Sequence, residues 1–179
     1  MNIVLDNRHF LKAATRTAHE RAEASWVTEG HFTDRAAYTA WLTAMAEVHA
    51  TLGAWAARQL DDSKWRDEEQ RRLSALEADL SVPLPVHHYR FDRTDSWAWG
   101  VAYALNGSAM GASVLLKTGA VGADWPRQYL TTLRDYATSG RLHGFFSALQ
   151  DQAMDRDQAG RGARDVFAAL ARARPVGVI

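Results

Sequence analysis

The sequence contains no cysteine. This absence excludes disulfides, thiolate nucleophiles, iron–sulfur clusters and zinc sites built from thiolates. The seven histidines therefore become the main candidates for binding a transition metal.

An excess of charge of either sign is also missing, as is any long apolar run. Lysine and arginine together number 21, and so do aspartate and glutamate. A neutral chain lacks the general field that holds nucleic acid or an anionic membrane, and no stretch approaches the roughly 20 apolar residues of a membrane span. The first ten residues lack the basic and apolar regions of a signal peptide. We expect a soluble, cytoplasmic protein without a nucleic-acid or membrane partner.

Runs of β-branched residues are absent and prolines are few, whereas alanine, leucine and arginine are abundant. This composition favours an all-helical fold. A chain of 179 residues, 47% of them apolar, is long enough for one well-buried core and short for two. Residues 1–179 are therefore expected to form a single domain of seven or eight helices.

Hydrophobic spacing and capping residues place these helices along the chain. The first covers about residues 8–26 with Asn7 as its cap, and the second begins at Thr33 or Asp34 and carries the central apolar stripe. Residues 81–93 are expected to form a loop. Further helices are expected after Asp95 or Ser96 to about Lys117, from Asp124 with Pro126 in its first turn, over residues 141–154, and from about Arg161 to Arg174.

Residues 63–80 read as a more exposed helix than the others. Two pairs of opposite charges lie four residues apart in it, Asp67 with Arg71 and Glu68 with Arg72. Such spacing predicts ion pairs along a solvated helix surface.

The segment YALNGSAMGASVLL, residues 103–116, has a helical pattern but contains two glycines. Each glycine costs a helix interior about 1 kcal/mol relative to alanine. At 100° per residue, five small residues fall within an arc of about 100°: Gly100, Ala104, Gly107, Ser108 and Gly111. A face this bare indicates either close packing of another helix or a flat ligand against the backbone. The spacing alone leaves both readings open.

One histidine differs from the others in its neighbours. His19 shares an arc of about 40° of the first helix with Lys12 and Glu23, whereas His49, for example, lies on an ordinary core stripe. Glu23 can accept a hydrogen bond from one imidazole nitrogen, directly or through water, which leaves the other nitrogen for a metal. Lys12 lies about 10 Å back along the axis, at the rim of a large flat ligand centred over His19. The alternative is a surface salt bridge from Glu23 to a lysine or arginine.

Taken together, LKAATRTAHERAE, residues 11–23, and YALNGSAMGASVLLK, residues 103–117, resemble the two heme-binding segments of heme oxygenases, particularly the soluble bacterial type. The resemblance extends over most of the chain, including the spacing from Tyr38 to Leu42 and the final helix with Phe167. It implies an all-α, single-domain, multi-helical heme oxygenase-like fold, in which heme b is sandwiched between a proximal and a distal helix.

The resemblance also implies roles for individual residues. His19 would be the axial ligand of the iron and Glu23 its orienting partner, while Gly107, Ser108 and Gly111 would form the catalytic distal face. Ser108 stands where larger relatives carry an acidic residue, and Asn106 stands where bacterial relatives usually carry glutamate. Distal water would therefore have to be held by other groups. The implied heme contacts are Lys12, Thr15, Glu23, Tyr103, Lys117 and Phe167.

The implied activity is that of a heme oxygenase, which cleaves heme to biliverdin, carbon monoxide and ferrous iron with dioxygen. A single histidine leaves the opposite side of the iron open to dioxygen, and glycine, serine and alanine offer no strong acid or base to split the O–O bond. This favours oxidation of the ring itself. The electrons would come from a ferredoxin, flavodoxin or reductase, because the chain has no flavin or nicotinamide fingerprint. A biliverdin acceptor such as a bacterial phytochrome is a further candidate partner.

Two alternatives belong to other functional classes. The first is a non-catalytic heme-binding protein, a carrier or sensor on the same fold, which Asn106 and Ser108 favour. The second is a helical interaction protein, in which the small-residue face only packs helices. This second alternative predicts that the chain does not bind hemin.

Overall fold

The regular structure of this chain is helical wherever its computed structural model describes it, over residues 6–60, 62–85 and 90–173. Within these ranges the only β pairing is one isolated bridge between Thr28 and His31. The all-α class and the single compact domain are thereby confirmed for the described residues. The helices are α1 (Asn7–Trp26), α2 (Arg35–Val48), a π-helical segment (His49–Gly53), α3 (Ala54–Gln59), α4 (Ser63–Leu80), α5 (Asp95–Lys117), α6 (Gln128–Thr138), α7 (Arg141–Gln150) and α8 (Arg156–Arg172).

The sequence predicted Asn7 as the cap of α1, but Asp6 caps this helix. The Asp6 carboxylate accepts a hydrogen bond from the His9 amide at 2.8 Å, which satisfies one of the free donors of the first turn. Asn7 instead donates its side-chain amide to the Leu149 and Gln152 carbonyls at 3.0 and 2.9 Å. These contacts lie where α7 ends, at residue 150, so the helix predicted over 141–154 is shorter than expected.

Three elements, α2, the π segment and α3, follow one another without a break. The cap predicted at Asp34 is confirmed, since its carboxylate accepts from the Ala37 amide at 2.8 Å. Most of the predicted apolar stripe is buried, including Tyr38 and Leu42, whereas Trp41 and Leu52 are only partly buried. The π segment begins at His49, which is also fully buried.

The prediction that residues 63–80 form an exposed helix is wrong in part, because α4 buries a polar face. Glu69 and Arg72 lie almost entirely inside the protein, and they pair with each other at 3.7 Å. Arg71 pairs with Glu68 at 2.5 Å. Both pairs therefore join residues three apart, and neither predicted pair, Asp67 with Arg71 or Glu68 with Arg72, is formed in this described helix.

Two other helix starts differ from their predictions for identifiable reasons. Helix α6 begins at Gln128 and not near Asp124, because the Asp79 carboxylate of α4 accepts from the backbone amides of Gln128 and Tyr129 at 2.9 and 2.8 Å. A cap from a distant helix leaves no local signal in the sequence. Helix α8 begins at Arg156, capped by Asp155, and its predicted end at Arg174 lies outside the described residues.

The loop predicted over residues 81–93 is non-helical in its described parts, and residues 86–89 lie outside them. His87 and His88 of that loop are therefore not among the described residues. No helix of residues 6–60, 62–85 and 90–173 combines the length and apolarity needed to cross a bilayer.

Helix α8 lies at the centre of the arrangement that positions the candidate site, since both α1 and α5 pack along it. The contact with α5 is made through glycines. A Cβ on Gly100 would lie 1.8 Å from the Ala159 carbonyl oxygen, and a Cβ on Gly162 would lie 2.1 Å from that of Trp97. Any side chain at either position would therefore separate the two helices.

Candidate functional site

His19 projects from α1 with most of its ring in solvent, and 59% of its side chain is exposed. Its ring meets the Phe167 ring of α8 edge-on, with centroids 5.4 Å apart and planes at 83°. The edge-to-face contact is a favoured aromatic geometry. Packing of α1 along α8 thus brings together two residues that the resemblance assigns to one ligand.

Glu23 lies one turn beyond His19 on the same face of α1. Its carboxylate oxygen is 3.8 Å from the His19 Nδ1, and 62% of its side chain is exposed. This distance is too long for a direct hydrogen bond and suits a bridging water. Among the described residues, no group hydrogen-bonds the His19 Nε2, so that nitrogen is available to a ligand.

The glycines of α5 fall into two groups that the sequence could not separate. Gly100 is closed by α8, as described above, whereas a Cβ on Gly107 or Gly111 would meet no heavy atom within 4 Å. The bare face of α5 is therefore filled by a helix at one end and open at the other. We call the part around Gly107 and Gly111 the open face.

Two large apolar side chains flank the open face. Met110 is 49% exposed and Val114 is 58% exposed, and both lie within about 60° of Gly107 around α5. Large exposed apolar side chains beside an uncovered stretch of helix are typical of a surface that an apolar partner or ligand covers.

Tyr103 of α5 and Thr15 of α1 are both assigned to the ligand by the resemblance. Burial is the main cause that raises the pKa of Tyr103, against smaller lowering effects of the Arg8 charge and the Thr15 side chain. Thr15 is buried, and its hydroxyl donates to the Leu11 carbonyl at 2.7 Å within its own helix.

The two predicted lysines are exposed at the ends of these helices. Lys12 lies near the start of α1 and Lys117 is the last residue of α5. Neither forms an ion pair with any residue of the described ranges. Both ammonium groups are therefore available to carboxylates of a ligand, although the protein itself does not hold them in place.

The core contains a polar network that our sequence analysis did not predict. His49, expected to be an ordinary core residue, holds the Glu69 carboxylate at 2.6 Å through Nδ1 and the Tyr129 hydroxyl at 2.7 Å through Nε2. Arg72 donates to the Asn106 side-chain oxygen at 2.8 Å. Asn106 is fully buried, so it does not reach the open face, where the resemblance would have it alter the distal charge.

Ser108 lies between this core network and the open face. Its hydroxyl donates to the Leu105 carbonyl at 2.6 Å. Complete burial is the main cause that raises the pKa of Tyr129, against the lowering effect of the Arg72 charge. Tyr129 thus stays a neutral phenol that can both donate and accept a hydrogen bond.

A signal for this network was present in the sequence but weak. Glu69 and Arg72 lie three residues apart on the side of α4 that also carries Trp65 and Leu76, both buried. Charged residues in line with large apolar ones predict a buried polar face.

The described residues contain no cluster of three or more histidine, aspartate or glutamate side chains able to hold a bare metal ion. No protein-family model matches this chain, and no curated protein matches it at a significant level.

Proposed function

We propose that this protein is a heme oxygenase, which binds heme between α1 and α5 and cleaves it to biliverdin, carbon monoxide and ferrous iron. The observation that carries the proposal is the open face of α5. Gly107 and Gly111 lower the stability of a helix, yet no neighbouring group occupies the space that their missing side chains leave. A flat ligand that approaches the backbone explains this cost, whereas helix packing explains only Gly100.

The chemistry of the surrounding side chains fits a heme. The His19 Nε2 has no hydrogen-bond partner among the described residues and would hold the heme iron, and Glu23 lies at a distance from which a water could fix the imidazole orientation. Phe167 supports the ring of His19 from α8. Lys12 and Lys117 are free cations for the heme propionates, within the described part of the chain.

Bound heme b would supply the iron that activates dioxygen, and it would also be the molecule oxidised. The protein would position the heme and exclude bulk water from it. The open face lets the α5 backbone approach the ring, and Met110 and Val114 exclude bulk water from its edge. Ser108 is the only hydroxyl between Gly107 and Gly111, and no charged side chain lies between them to split the O–O bond.

The proposal includes the partners that the reaction requires. External electrons would come from a ferredoxin, a flavodoxin or a reductase. The product would pass to a biliverdin acceptor such as a bacterial phytochrome, or serve only to release iron.

A hemin titration of the purified protein tests the binding step. We expect one hemin per chain and a Soret band typical of histidine ligation, followed by loss of that band and formation of biliverdin when ascorbate or a reductase is added in air. His19→Ala should remove the axial ligation without unfolding the protein, because the side chain is mostly exposed. His143→Ala, which changes another exposed helical histidine, is the matched control.

Two results would contradict the proposal at different points. The absence of stoichiometric hemin binding would favour the interaction protein, for which Met110 and Val114 would form part of a docking surface. Hemin binding with a persistent oxygen complex and no biliverdin would favour the non-catalytic carrier or sensor. One observation favours this second candidate: the Ser108 hydroxyl is turned to the Leu105 carbonyl of its own helix.

A further inference from the structure

A phenol, an imidazole and a carboxylate form a hydrogen-bonded series inside the core. The Tyr129 hydroxyl lies 2.7 Å from the His49 Nε2, and the His49 Nδ1 lies 2.6 Å from the Glu69 Oε1. Tyr129 and His49 are fully buried, and Glu69 is nearly so. The proposed function uses none of these three side chains.

The π segment gives the carboxylate room to meet the imidazole. A Cβ on Gly53 would overlap the Glu69 Oε1, so any larger residue at this position would push the carboxylate away from the His49 Nδ1. π-helical turns inside α-helices are uncommon and are frequent at functional sites. The local backbone therefore places an acid against one side of a buried imidazole.

The carboxylate decides which imidazole nitrogen is the base. A carboxylate only accepts hydrogen bonds, so the His49 Nδ1 carries the hydrogen of the neutral ring. The Nε2 is then the acceptor, and the Tyr129 hydroxyl donates to it. A base thus lies in direct contact with the phenolic proton.

Tyr38 shows that this arrangement is not common to the buried tyrosines. Its side chain is also buried, but its hydroxyl donates to the Pro126 carbonyl at 2.8 Å. A backbone carbonyl does not take up a proton at neutral pH. In the described part of the chain, Tyr129 is the one tyrosine whose hydroxyl bonds an imidazole.

Aromatic rings in contact connect Tyr129 to the surface. The Trp41 ring is partly exposed, and its centroid lies 5.9 Å from that of Tyr129. Tyr38 stacks on Trp41 at 5.8 Å and on the partly exposed Trp125 at 5.5 Å. Indole and phenol are the aromatic side chains that lose one electron most readily, and the chain has no cysteine to compete with them.

We propose that Tyr129 is a redox-active tyrosine, whose oxidation by one electron is coupled to transfer of its phenolic proton to His49. The oxidant is an oxygen-derived radical or a metal complex that removes one electron from Trp41 at the surface. This activity goes beyond the proposed function and does not require heme.

The step conserves electrons and protons. The oxidant takes one electron from the Trp41 indole, and Tyr129 supplies one electron to that indole. The Tyr129 O–H bond breaks as an N–H bond forms at the His49 Nε2, which leaves a neutral tyrosyl radical and an imidazolium paired with the Glu69 carboxylate. Burial raises the pKa of Tyr129, so the phenolate is not populated and the proton must leave with the electron. A one-electron reductant at Trp41 reverses both transfers.

Flash photolysis of the heme-free protein tests the proposal. Excited tris(bipyridine)ruthenium(II), quenched by a cobalt(III) ammine, supplies the one-electron oxidant, and transient absorption and EPR identify the radical that forms. We expect a neutral tyrosyl radical in the parent, its loss in Tyr129→Phe, and its retention in Tyr38→Phe, the matched control that removes a hydroxyl bonded to a carbonyl. A tyrosyl signal that persists in Tyr129→Phe would overturn the proposal, and so would its absence in the folded parent once the oxidant is consumed.

A second measurement needs no variant and tests His49 as the proton acceptor. Because the proton stays inside the core, the tyrosyl radical should form more slowly in D₂O than in H₂O, at a rate independent of the concentration of buffer base. A rate that rises with buffer concentration would show that solvent takes the proton and would overturn the proposal. Neither measurement involves heme, so this proposal and the proposed function can fail separately.

Discussion

Gly107 is the residue at which stability and ligand binding are expected to oppose each other. Its Cβ position is open, so Gly107→Ala should stabilise α5 by about 0.5–1 kcal/mol through helix propensity alone. The same methyl group would occupy space given to the proposed heme, and hemin affinity should fall about tenfold, or about 1.4 kcal/mol. Urea unfolding and hemin titration of one preparation measure both effects.

Gly100 supplies the control for this prediction, because it lies on the same side of α5 but against α8. A methyl group there would collide with the Ala159 backbone, so Gly100→Ala should destabilise the protein by at least about 1–3 kcal/mol. If Gly107→Ala also proved strongly destabilising, the face would be filled by protein and the ligand reading would be wrong.

The surroundings of individual residues were predictable where they depend on neighbours within the same helix. The exposed face of His19 and Glu23 follows from helical spacing, and so does the bare face around Gly107. The division between Gly100 and Gly107 was not predictable, because both lie on one arc of α5 and only the position of α8 separates them. His49 was missed for a similar reason, since its partners lie 20 and 80 residues away along the chain.

At the scale of the helix, α4 shows that charged side chains of one element can differ greatly in their contribution to stability. The Arg72 guanidinium is fully buried, 5.0 Å from the Trp65 ring centroid and 4.7 Å from that of Tyr136. Arg72→Met should leave Glu69 as an uncompensated buried charge and destabilise the protein by about 3–5 kcal/mol. Chemical denaturation followed by circular dichroism measures this loss.

Arg71 provides the comparison on the same helix. Its side chain is largely exposed and pairs with Glu68, so Arg71→Ala should cost less than about 1 kcal/mol. Equal losses in the two variants would show that α4 is solvated on both sides, as the charge spacing alone had indicated.

The elements themselves were largely predictable, and their ends were not. Helical periodicity placed α1, α2, α4 and α5 within a few residues, because their apolar stripes and caps lie in the same stretch of chain. The start of α6 depends on Asp79, and the end of α7 depends on Asn7. Caps supplied by distant helices appear only once the chain is folded.

For the whole molecule, composition was enough to predict the all-α class. The candidate site was predicted only as separate helix surfaces, without their arrangement in space. Sequence patterns gave one face of α1 and one face of α5. The packing of both helices along α8 relates these faces in space. This packing does not follow from spacing within a single helix, since it joins residues far apart in sequence.

The buried tyrosines predict how the stability of the whole molecule depends on alkaline pH. Burial is the main cause that raises the pKa of Tyr38, Tyr129 and Tyr136, the last to about 12. In the unfolded chain tyrosine ionises near pH 10, so above that pH the unfolded state binds fewer protons than the folded state. The stabilisation that these buried phenols contribute should therefore be fully present below about pH 10. As the pH rises towards 12, the free energy of unfolding should fall by up to about 1.4 kcal/mol per pH unit for each tyrosine. Urea unfolding at several pH values between about 9 and 11 measures the slope, Tyr136→Phe should reduce it, and a flat profile would show that these phenols are not protected in the folded protein.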